Sequence, residues 1–247
     1  MAIADVAPDI VINAAAYTAV DLAEDEPSRA FRINGDAAGE VAEAAAKVGA
    51  GVIQVSTDYV YDGTGIGPYR EDAEVNPLGV YGKSKLAGEE QVRAANPRHA
   101  IVRTAWVYSP FGRNFVRAIM AAAGIRDRLT VVDDQRGSPS SALDLADALL
   151  TMIEGGGGWG ETYHLAGSGE TSWCGFACEI MDQCAANGLP HVPVDRIRTE
   201  DWPTRAVRPR NSVLDSTKFE QAFGFVMPDW RVSTAEVVAR LAGEQRS

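Results

Sequence analysis

Short apolar runs alternate with helical segments along the first 158 residues, and this alternation constrains the fold more than any other feature of the sequence. We predict strands at residues 9–13, 52–56, 100–103 and 129–132. These runs are short and rich in valine and isoleucine, which is typical of buried strands. We predict helices at residues 37–48, 81–95, 114–123 and 142–153. Strand and helix in alternation indicate an α/β fold, a doubly wound parallel sheet with helices on both faces.

The alternation weakens after four consecutive glycines, Gly155–Gly158, which are typical of a flexible linker. Beyond them we predict helices at 171–187 and 217–223, with irregular, proline-containing chain between them. We therefore divide the chain into a sheet domain, 1–158, and a small C-terminal lobe, 159–247, part of which returns to the sheet domain. We expect the lobe to lie over the carboxyl edge of the sheet, where open α/β sheets bind ligands.

Charge and apolar content argue against two classes of partner. The formal net charge is −11, whereas nonspecific nucleic-acid binding needs a basic surface. No apolar run reaches the roughly 18 residues of a membrane span, and the first residues do not resemble a secretory signal. The three cysteines, Cys174, Cys178 and Cys184, fit reduced cytosolic thiols better than a disulfide framework. We therefore expect a cytoplasmic protein with no nucleic-acid partner and no membrane partner.

Tyr81 and Lys85 lie four residues apart in a predicted helix, so their side chains share a face. An ammonium and a helix N-terminus both lower a tyrosine pKa from its ordinary value of about 10. The pair alone is a weak signal, because this spacing also occurs on exposed helix faces. Thr57 strengthens it, because this residue ends the strand before the helix and can point into the same crevice. A hydroxyl, a phenol and an ammonium suit carbonyl reduction, in which the phenol delivers a proton and a cofactor delivers hydride.

Six segments together resemble one known family. They are PDIVINAAAYTAVDLAEDEP (8–27), STDYVYDG (56–63), the stretch 71–89 that ends in NPLGVYGKSKLAGE, RTAWVYSPFGRNFV (103–116), VVDDQRGSPSS (131–141) and RPRNSVLD (208–215). In order and spacing they resemble the dTDP-4-dehydrorhamnose reductases, members of the extended short-chain dehydrogenase/reductase superfamily. The resemblance implies a Rossmann-like dinucleotide-binding domain in 1–158 and a mainly substrate-binding lobe in 159–247. It also implies reduction of dTDP-4-dehydro-L-rhamnose to dTDP-L-rhamnose with NADPH or NADH.

The resemblance gives roles to individual residues. It implies that Tyr81 is the catalytic acid, that Lys85 tunes it and binds the cofactor ribose, and that Thr57 polarises the keto group. It implies a turn against the cofactor at Ala15, Ala16, Tyr17 and Thr18. It implies contacts with the sugar nucleotide for Asp58, Trp106 and Arg208, with Asn114 and Arg103 as weaker candidates. Without the resemblance, Asp58 is typical of a turn residue, Trp106 of a core aromatic and Arg208 of a surface loop.

Cofactor selection, metal and assembly are less constrained. The sequence holds no signal that selects NADH over NADPH. The resemblance implies a dTDP-sugar substrate and is compatible with a homodimer. Some family members carry a divalent ion such as Mg²⁺ at a dimer contact. We assign no metal ligands here and expect Asp133 and Asp134 to be loop residues.

The sequence departs from the family pattern at its start. Family members begin with a strand and a turn of the G-x-x-G-x-x-G type, which lets the backbone approach the cofactor pyrophosphate. No such motif occurs here, and the chain starts about where the third strand of the family is expected. We therefore expect the first strand–helix–strand unit, roughly 30 residues or more, to be missing and cofactor affinity and activity to be reduced.

Two alternatives to the reductase stay open. One is another sugar-nucleotide enzyme of the superfamily, an epimerase or a dehydratase, because an acidic residue, Asp58, follows Thr57 directly. The other is a non-catalytic regulatory subunit on the same fold, which the absence of the glycine-rich turn favours.

Overall fold

The computed structural model describes residues 2–244. Its α-helices there are Ala2–Val6 (α1), Val20–Ala23 (α2), Pro27–Phe31 (α3), Ala37–Lys47 (α4), Val80–Ala95 (α5), Phe115–Ala123 (α6), Ala142–Glu154 (α7), Trp173–Ala186 (α8), Thr217–Phe223 (α9) and Trp230–Glu244 (α10). Its strands are Ile10–Asn13 (β1), Gly51–Thr57 (β2), His99–Thr104 (β3), Val107–Tyr108 (β4), Leu129–Val132 (β5), Arg136–Gly137 (β6), Ser140–Ser141 (β7), Glu161–His164 (β8), Thr171–Ser172 (β9) and Val194–Ile197 (β10). A π-helical turn spans Arg32–Asp36, and 3₁₀ turns span Asp58–Val60 and Thr199–Asp201. Within residues 2–244, no helix has both the length and the apolar character that crossing a bilayer requires.

The main sheet has four parallel strands in the order β1–β2–β3–β8. Successive side chains point to opposite faces of a strand. Val52 of β2 accordingly packs against α4 and α5, whereas its neighbour Ile53 packs against α7 and α9. Burial on both faces explains why these strands are almost continuously apolar. The predicted doubly wound, Rossmann-like α/β fold is confirmed.

One prediction about the sheet is wrong. Leu129–Val132 does form a strand, but this strand pairs with β10 in a separate two-stranded sheet and not with the main sheet. The fourth strand of the main sheet is β8, whose sequence is Glu-Thr-Tyr-His. Because β8 is an edge strand that begins exposed, it lacks the apolar run by which buried strands are recognised.

A second apolar cluster lies beside the sheet. It is formed by α6 and β5 together with α8 and α10, with Phe176 and Trp230 among its fully buried side chains. The cluster therefore joins elements from both sides of Gly158, while β8 and α9 pack with the main sheet. The division at residue 158 into a dinucleotide-binding domain and a substrate-binding lobe stays a prediction.

The carboxyl ends of β2 and β3 lie side by side, with Thr57 in register with Thr104. The 3₁₀ turn that follows Thr57 packs against α5. The first turn of α5 is therefore held at the carboxyl edge of the sheet, where sheets of this class bind ligands.

Candidate active site

The start of α5 is fixed by two contacts. The backbone N–H of Val80 donates to Glu24 Oε1 at 2.8 Å, so a carboxylate lies at the positive end of the helix. Gly82 packs so closely on the turn after β2 that a Cβ atom there would lie 2.1 Å from the Tyr59 carbonyl oxygen. Only glycine allows this approach, and the approach brings the neighbouring Tyr81 to the end of β2.

The hydroxyl of Thr57 lies at the centre of the site. The side chain is 4% exposed. Its Oγ1 accepts from the Tyr59 N–H at 3.2 Å and donates to Asp58 Oδ1 at 2.9 Å. Tyr81 lines the same cavity as Thr57, and the Tyr59 ring packs edge-on against Tyr81 with centroids 5.6 Å apart. Two of the three groups that we predicted to act together therefore meet.

The expected lowering of the Tyr81 pKa is wrong. Burial raises the pKa of Tyr81 to about 12, although the hydrogen bond with Thr57 opposes the shift. The Lys85 ammonium donates to the Val55 carbonyl at 2.7 Å and makes no hydrogen bond to the phenol. Tyr81 is therefore protonated at neutral pH, which is the state that a proton donor needs.

Lys85 is a buried cation beneath this pair, with 4% of its surface exposed. Burial lowers its pKa to about 8, and the charge of Glu89 opposes that shift. At neutral pH the ammonium form therefore still predominates. An ammonium has three donors, so those beyond the bond to Val55 remain for a ligand.

Two buried oxygens in the site have no hydrogen-bond partner among residues 2–244: Asp58 Oδ2 and Thr104 Oγ1. Burial also raises the pKa of Asp58 to about 6. Buried polar atoms are seldom left without a partner, because desolvation is then uncompensated. Their position at the ends of β2 and β3 indicates that a polar ligand supplies the partners.

One cavity of about 690 Å³ brings most of the predicted residues together. Those that line it are Ala16, Thr18, Thr57, Asp58, Tyr81, Lys85, Trp106 and Asn114. Ala15, Tyr17, Arg103 and Arg208 do not line it. The alternation of Ala14, Ala16 and Thr18 on the cavity wall follows from extended chain after β1.

Residue Tyr17 points away from the cavity. Its hydroxyl donates to Glu26 Oε2 at 2.8 Å. Asn34 holds its backbone, accepting from the Tyr17 N–H at 2.7 Å and donating to the Tyr17 carbonyl at 3.1 Å. Asn34 also donates to Ser84 Oγ of α5 at 2.9 Å. Asn34 therefore ties the turn after β1 to the helix that carries Tyr81.

Trp106 combines an unusual backbone with an aromatic stack. Its φ is +47°, in the left-handed region that bulky side chains rarely adopt. Its ring lies parallel to Trp173, with centroids 3.6 Å apart and planes 7° from parallel. A strained residue held in a cavity wall by packing is typical of a ligand-binding position.

Two residues that we predicted to contact the substrate form hydrogen bonds or ion pairs with other residues of the protein. Asn114 caps α6 by accepting from the Arg117 N–H at 3.2 Å, so its amide has a structural role although it lines the cavity. Arg208 pairs with Asp21 Oδ2 at 2.7 Å and lines a neighbouring cavity of about 520 Å³ that shares Trp173 with the first.

Sequence reasoning missed Thr104, Asn34 and Trp173. Thr104 could have been found, because it ends the strand beside β2 just as Thr57 ends β2 itself. Asn34 and Trp173 carry no local signal, because their partners lie far away along the chain.

Known proteins are similar to this chain over nearly its whole length. The family model of the RmlD substrate binding domain matches residues 1–242. A dTDP-4-dehydrorhamnose reductase of Sinorhizobium fredii (strain NBRC 101917 / NGR234) is 44% identical over 241 residues, which cover 96% of this chain and 81% of that protein.

Solved structures agree. A dTDP-4-dehydrorhamnose reductase from Clostridium acetobutylicum ATCC 824 superposes with a TM-score of 0.92 at 40% identity, covering 97% of this chain and 83% of that one. The enzyme from Bacillus anthracis str. Ames, solved in complex with NADP, has a TM-score of 0.90 at 34% identity and the same coverage of both chains. The resemblance predicted from the six segments is confirmed, and the chain belongs to the dTDP-4-dehydrorhamnose reductase family.

Proposed function

We propose that this protein is an NAD(P)H-dependent reductase that converts dTDP-4-dehydro-L-rhamnose to dTDP-L-rhamnose. One observation carries the proposal: Thr57 and the protonated Tyr81 line one cavity at the carboxyl edge of the sheet. The substrate class follows from the names of relatives that share this fold at 40% identity or more.

The two hydroxyls suit the oxygen of a ketone. Donors aimed at one oxygen stabilise the negative charge that develops there as the carbonyl is reduced. Tyr81 then gives its proton to that oxygen, and the Lys85 ammonium below it stabilises the phenolate that forms. Thr57 has a single hydrogen, which Asp58 Oδ1 receives in this structure. The Thr57 hydroxyl must turn from Asp58 before it can donate to a ketone.

The residues present fit a nicotinamide cofactor. The Lys85 ammonium has donors left for ribose hydroxyls, and the small side chains of Ala14 and Ala16 leave the cavity wall open beside it. When bound, the cofactor supplies the hydride that goes to the keto carbon. The complex of the Bacillus anthracis relative with NADP supports NADPH over NADH.

Three other residues supply contacts for the sugar nucleotide. The flat face of Trp106 covers an apolar side of a sugar ring. The buried Asp58 carboxyl, which lines the cavity, accepts a hydrogen bond from a sugar hydroxyl. Arg208, which pairs with both carboxylate oxygens of Asp21, binds the diphosphate from the neighbouring cavity.

Location and assembly complete the proposal. We place the reaction in the cytoplasm, since the three cysteines are free thiols. Homodimerisation, with Mg²⁺ at the contact between protomers, is the assembly that the family suggests. Analytical ultracentrifugation with Mg²⁺ and with EDTA tests both. A dimer in Mg²⁺ that dissociates in EDTA would show that the contact between protomers requires the ion.

Product analysis tests the reaction itself. The purified chain is incubated with dTDP-4-dehydro-L-rhamnose and millimolar NADPH, and the product is identified by mass spectrometry and NMR. A reductase adds one hydride and one proton and oxidises NADPH in equal amount. Isomerisation or loss of water without net NADPH oxidation would instead show an epimerase or a dehydratase.

A Tyr81→Phe variant separates the enzyme from a regulatory subunit. Loss of the phenol is expected to lower turnover by about 10²–10⁴-fold, the usual contribution of a general acid. Tyr163→Phe is the matched control, because this buried tyrosine lies on β8 and does not line the cavity. Equal turnover of the Tyr81→Phe variant and the wild type contradicts the proposed function.

A further inference from the structure

We propose that Glu89 is a positioning residue for this site: it is the buried anion that keeps Lys85 a charged ammonium beneath Tyr81. The consequence for catalysis rests on the proposed function. The effect of the Glu89 charge on Lys85 does not rest on the proposed function, and it can be tested without an activity assay.

Three ionisable side chains are buried on neighbouring elements of the site, and one of them, Lys85, lines the cavity. Glu89 is 0% exposed, Arg103 is 3% exposed and Lys85 is 4% exposed. Isolated charges are costly in a protein interior, so buried charges are normally paired. Here Glu89 is the anion, and Arg103 and Arg93 form ion pairs with it. Arg103, which the sequence suggested as a weak ligand-contact candidate, belongs to this cluster and not to the cavity.

The Glu89 carboxylate is held by donors from three elements. Its Oε1 accepts from Ser56 Oγ of β2 at 2.6 Å and from Arg103 Nε of β3 at 2.9 Å. Its Oε2 accepts from Arg103 Nη2 at 2.7 Å and from Arg93 Nη2 of α5 at 3.0 Å. Burial opposes ionisation, yet the hydrogen bonds from Arg103 hold the pKa of Glu89 below its ordinary value. Glu89 is therefore an anion at neutral pH.

Glu89 lies one turn after Lys85 on α5, and residues four apart share a helix face. Its charge acts on Lys85 and raises the pKa that burial lowers. On its other side the cluster meets Tyr61 and His164. Burial and the Arg103 charge lower the pKa of His164 to about 4, so this histidine is neutral and adds no charge. Asp58, the remaining acidic group of the site, acts on Tyr81.

This arrangement makes the charge of Lys85 depend on Glu89. Without the anion, the effect of burial on the Lys85 ammonium is no longer opposed, and Lys85 then releases its proton at a lower pH. The phenolate that Tyr81 leaves after proton transfer then loses its stabilising cation. The hydrogen bonds of Glu89 also hold α5 to β2 and β3. The test must therefore distinguish the effect of the Glu89 charge on Lys85 from a loss of these structural contacts.

The direct test follows the titration of Lys85 by NMR of ¹³Cε-labelled lysine. The chain has four lysines, Lys47, Lys83, Lys85 and Lys218, and a Lys85→Arg variant assigns the signal. We expect Glu89→Gln to lower the Lys85 pKa by at least about one unit, a tenfold change in its acid constant. Ser56→Ala is the matched control, because it removes one hydrogen bond from Glu89 and keeps the charge. An unchanged Lys85 pKa in Glu89→Gln, or the same shift in Ser56→Ala, overturns the proposal.

A second variant covers loss of folding. If Glu89→Gln does not fold because Arg103 is left unpaired, Glu89→Gln combined with Arg103→Gln removes both charges together. The Lys85 pKa must still fall, because Glu89 is the group that acts on it.

Turnover gives an independent reading. Glu89→Gln is expected to move the alkaline limb of the kcat profile to lower pH, so that much of the lost rate returns about one pH unit lower. A merely structural role lowers kcat by the same factor at every pH. A wild type without reductase activity refutes the proposed function, and the NMR shift still decides the role of Glu89.

Discussion

Gly82→Ala is the most informative perturbation of this site that touches none of its reacting groups. An alanine Cβ at this position lies 2.1 Å from the Tyr59 carbonyl oxygen and 2.9 Å from Pro77 Cβ, whereas real Cβ contacts essentially never fall below 3.0 Å. The carbonyl is backbone and cannot rotate away. The first turn of α5 must therefore retreat by close to 1 Å, carrying Tyr81 away from Thr57.

The size of the effect follows from that displacement. Overpacking of this kind costs about 1–3 kcal/mol of stability. A shift of about 1 Å in a reacting group lowers the rate by on the order of 10²-fold. We therefore expect a folded protein whose kcat for reduction of the dTDP-keto sugar falls by about two orders of magnitude. Steady-state kinetics and urea unfolding measure the two quantities.

Two controls separate geometry from stability. Gly243→Ala in α10 meets nothing within 4 Å and is expected to raise stability by about 0.5–1 kcal/mol without changing kcat. Val92→Ala removes a fully buried side chain at the far end of α5 and is expected to lose about 2 kcal/mol with little change in kcat. A Gly82→Ala protein that turns over at the wild-type rate refutes the reasoning, as does an equal loss of kcat in Val92→Ala.

Two further predictions concern charge and stacking. Since burial raises the pKa of Asp58 from 3.8 to about 6, its protonated form stabilises the fold below about pH 4, and this contribution is lost as pH rises through 6. Urea unfolding should therefore show that the wild type loses about 2 kcal/mol relative to Asp58→Asn between pH 4 and pH 6, whereas a constant difference contradicts the burial of a titrating carboxyl. Gly137→Ala places a Cβ 2.3 Å from the Trp106 ring and should displace that ring. We expect the KM for the sugar nucleotide to rise about tenfold, with a smaller effect on kcat. An unchanged KM would show that Trp106 does not contact the substrate.

The parts of the site that sequence could predict are those whose geometry is local. Tyr81 and Lys85 share a face because of helix periodicity alone, and Thr57 lies at a strand end because the apolar run stops there. Their meeting at one cavity follows from the rule that ligands bind at the carboxyl edge of such sheets.

The parts that sequence could not predict depend on distant chain. The stack of Trp106 on Trp173 and the pairing of Arg208 with Asp21 join segments that no local pattern relates. Edge strand β8 was missed because a polar strand carries no periodic apolar signal. The direction of the Tyr81 pKa shift was wrong because burial, which a helix pattern does not report, has the largest influence on that pKa.

The central claim is that Thr57 and Tyr81 act as one unit on one carbonyl oxygen, and a double-mutant cycle on kcat/KM tests it most directly. Thr57→Val, Tyr81→Phe and the double variant are compared with the wild type on dTDP-4-dehydro-L-rhamnose at saturating NADPH. Because groups that act as a unit are strongly non-additive, we expect the double variant to lose far less than the product of the two single losses. Full multiplication of the single losses means that the two hydroxyls act independently, and it contradicts the account.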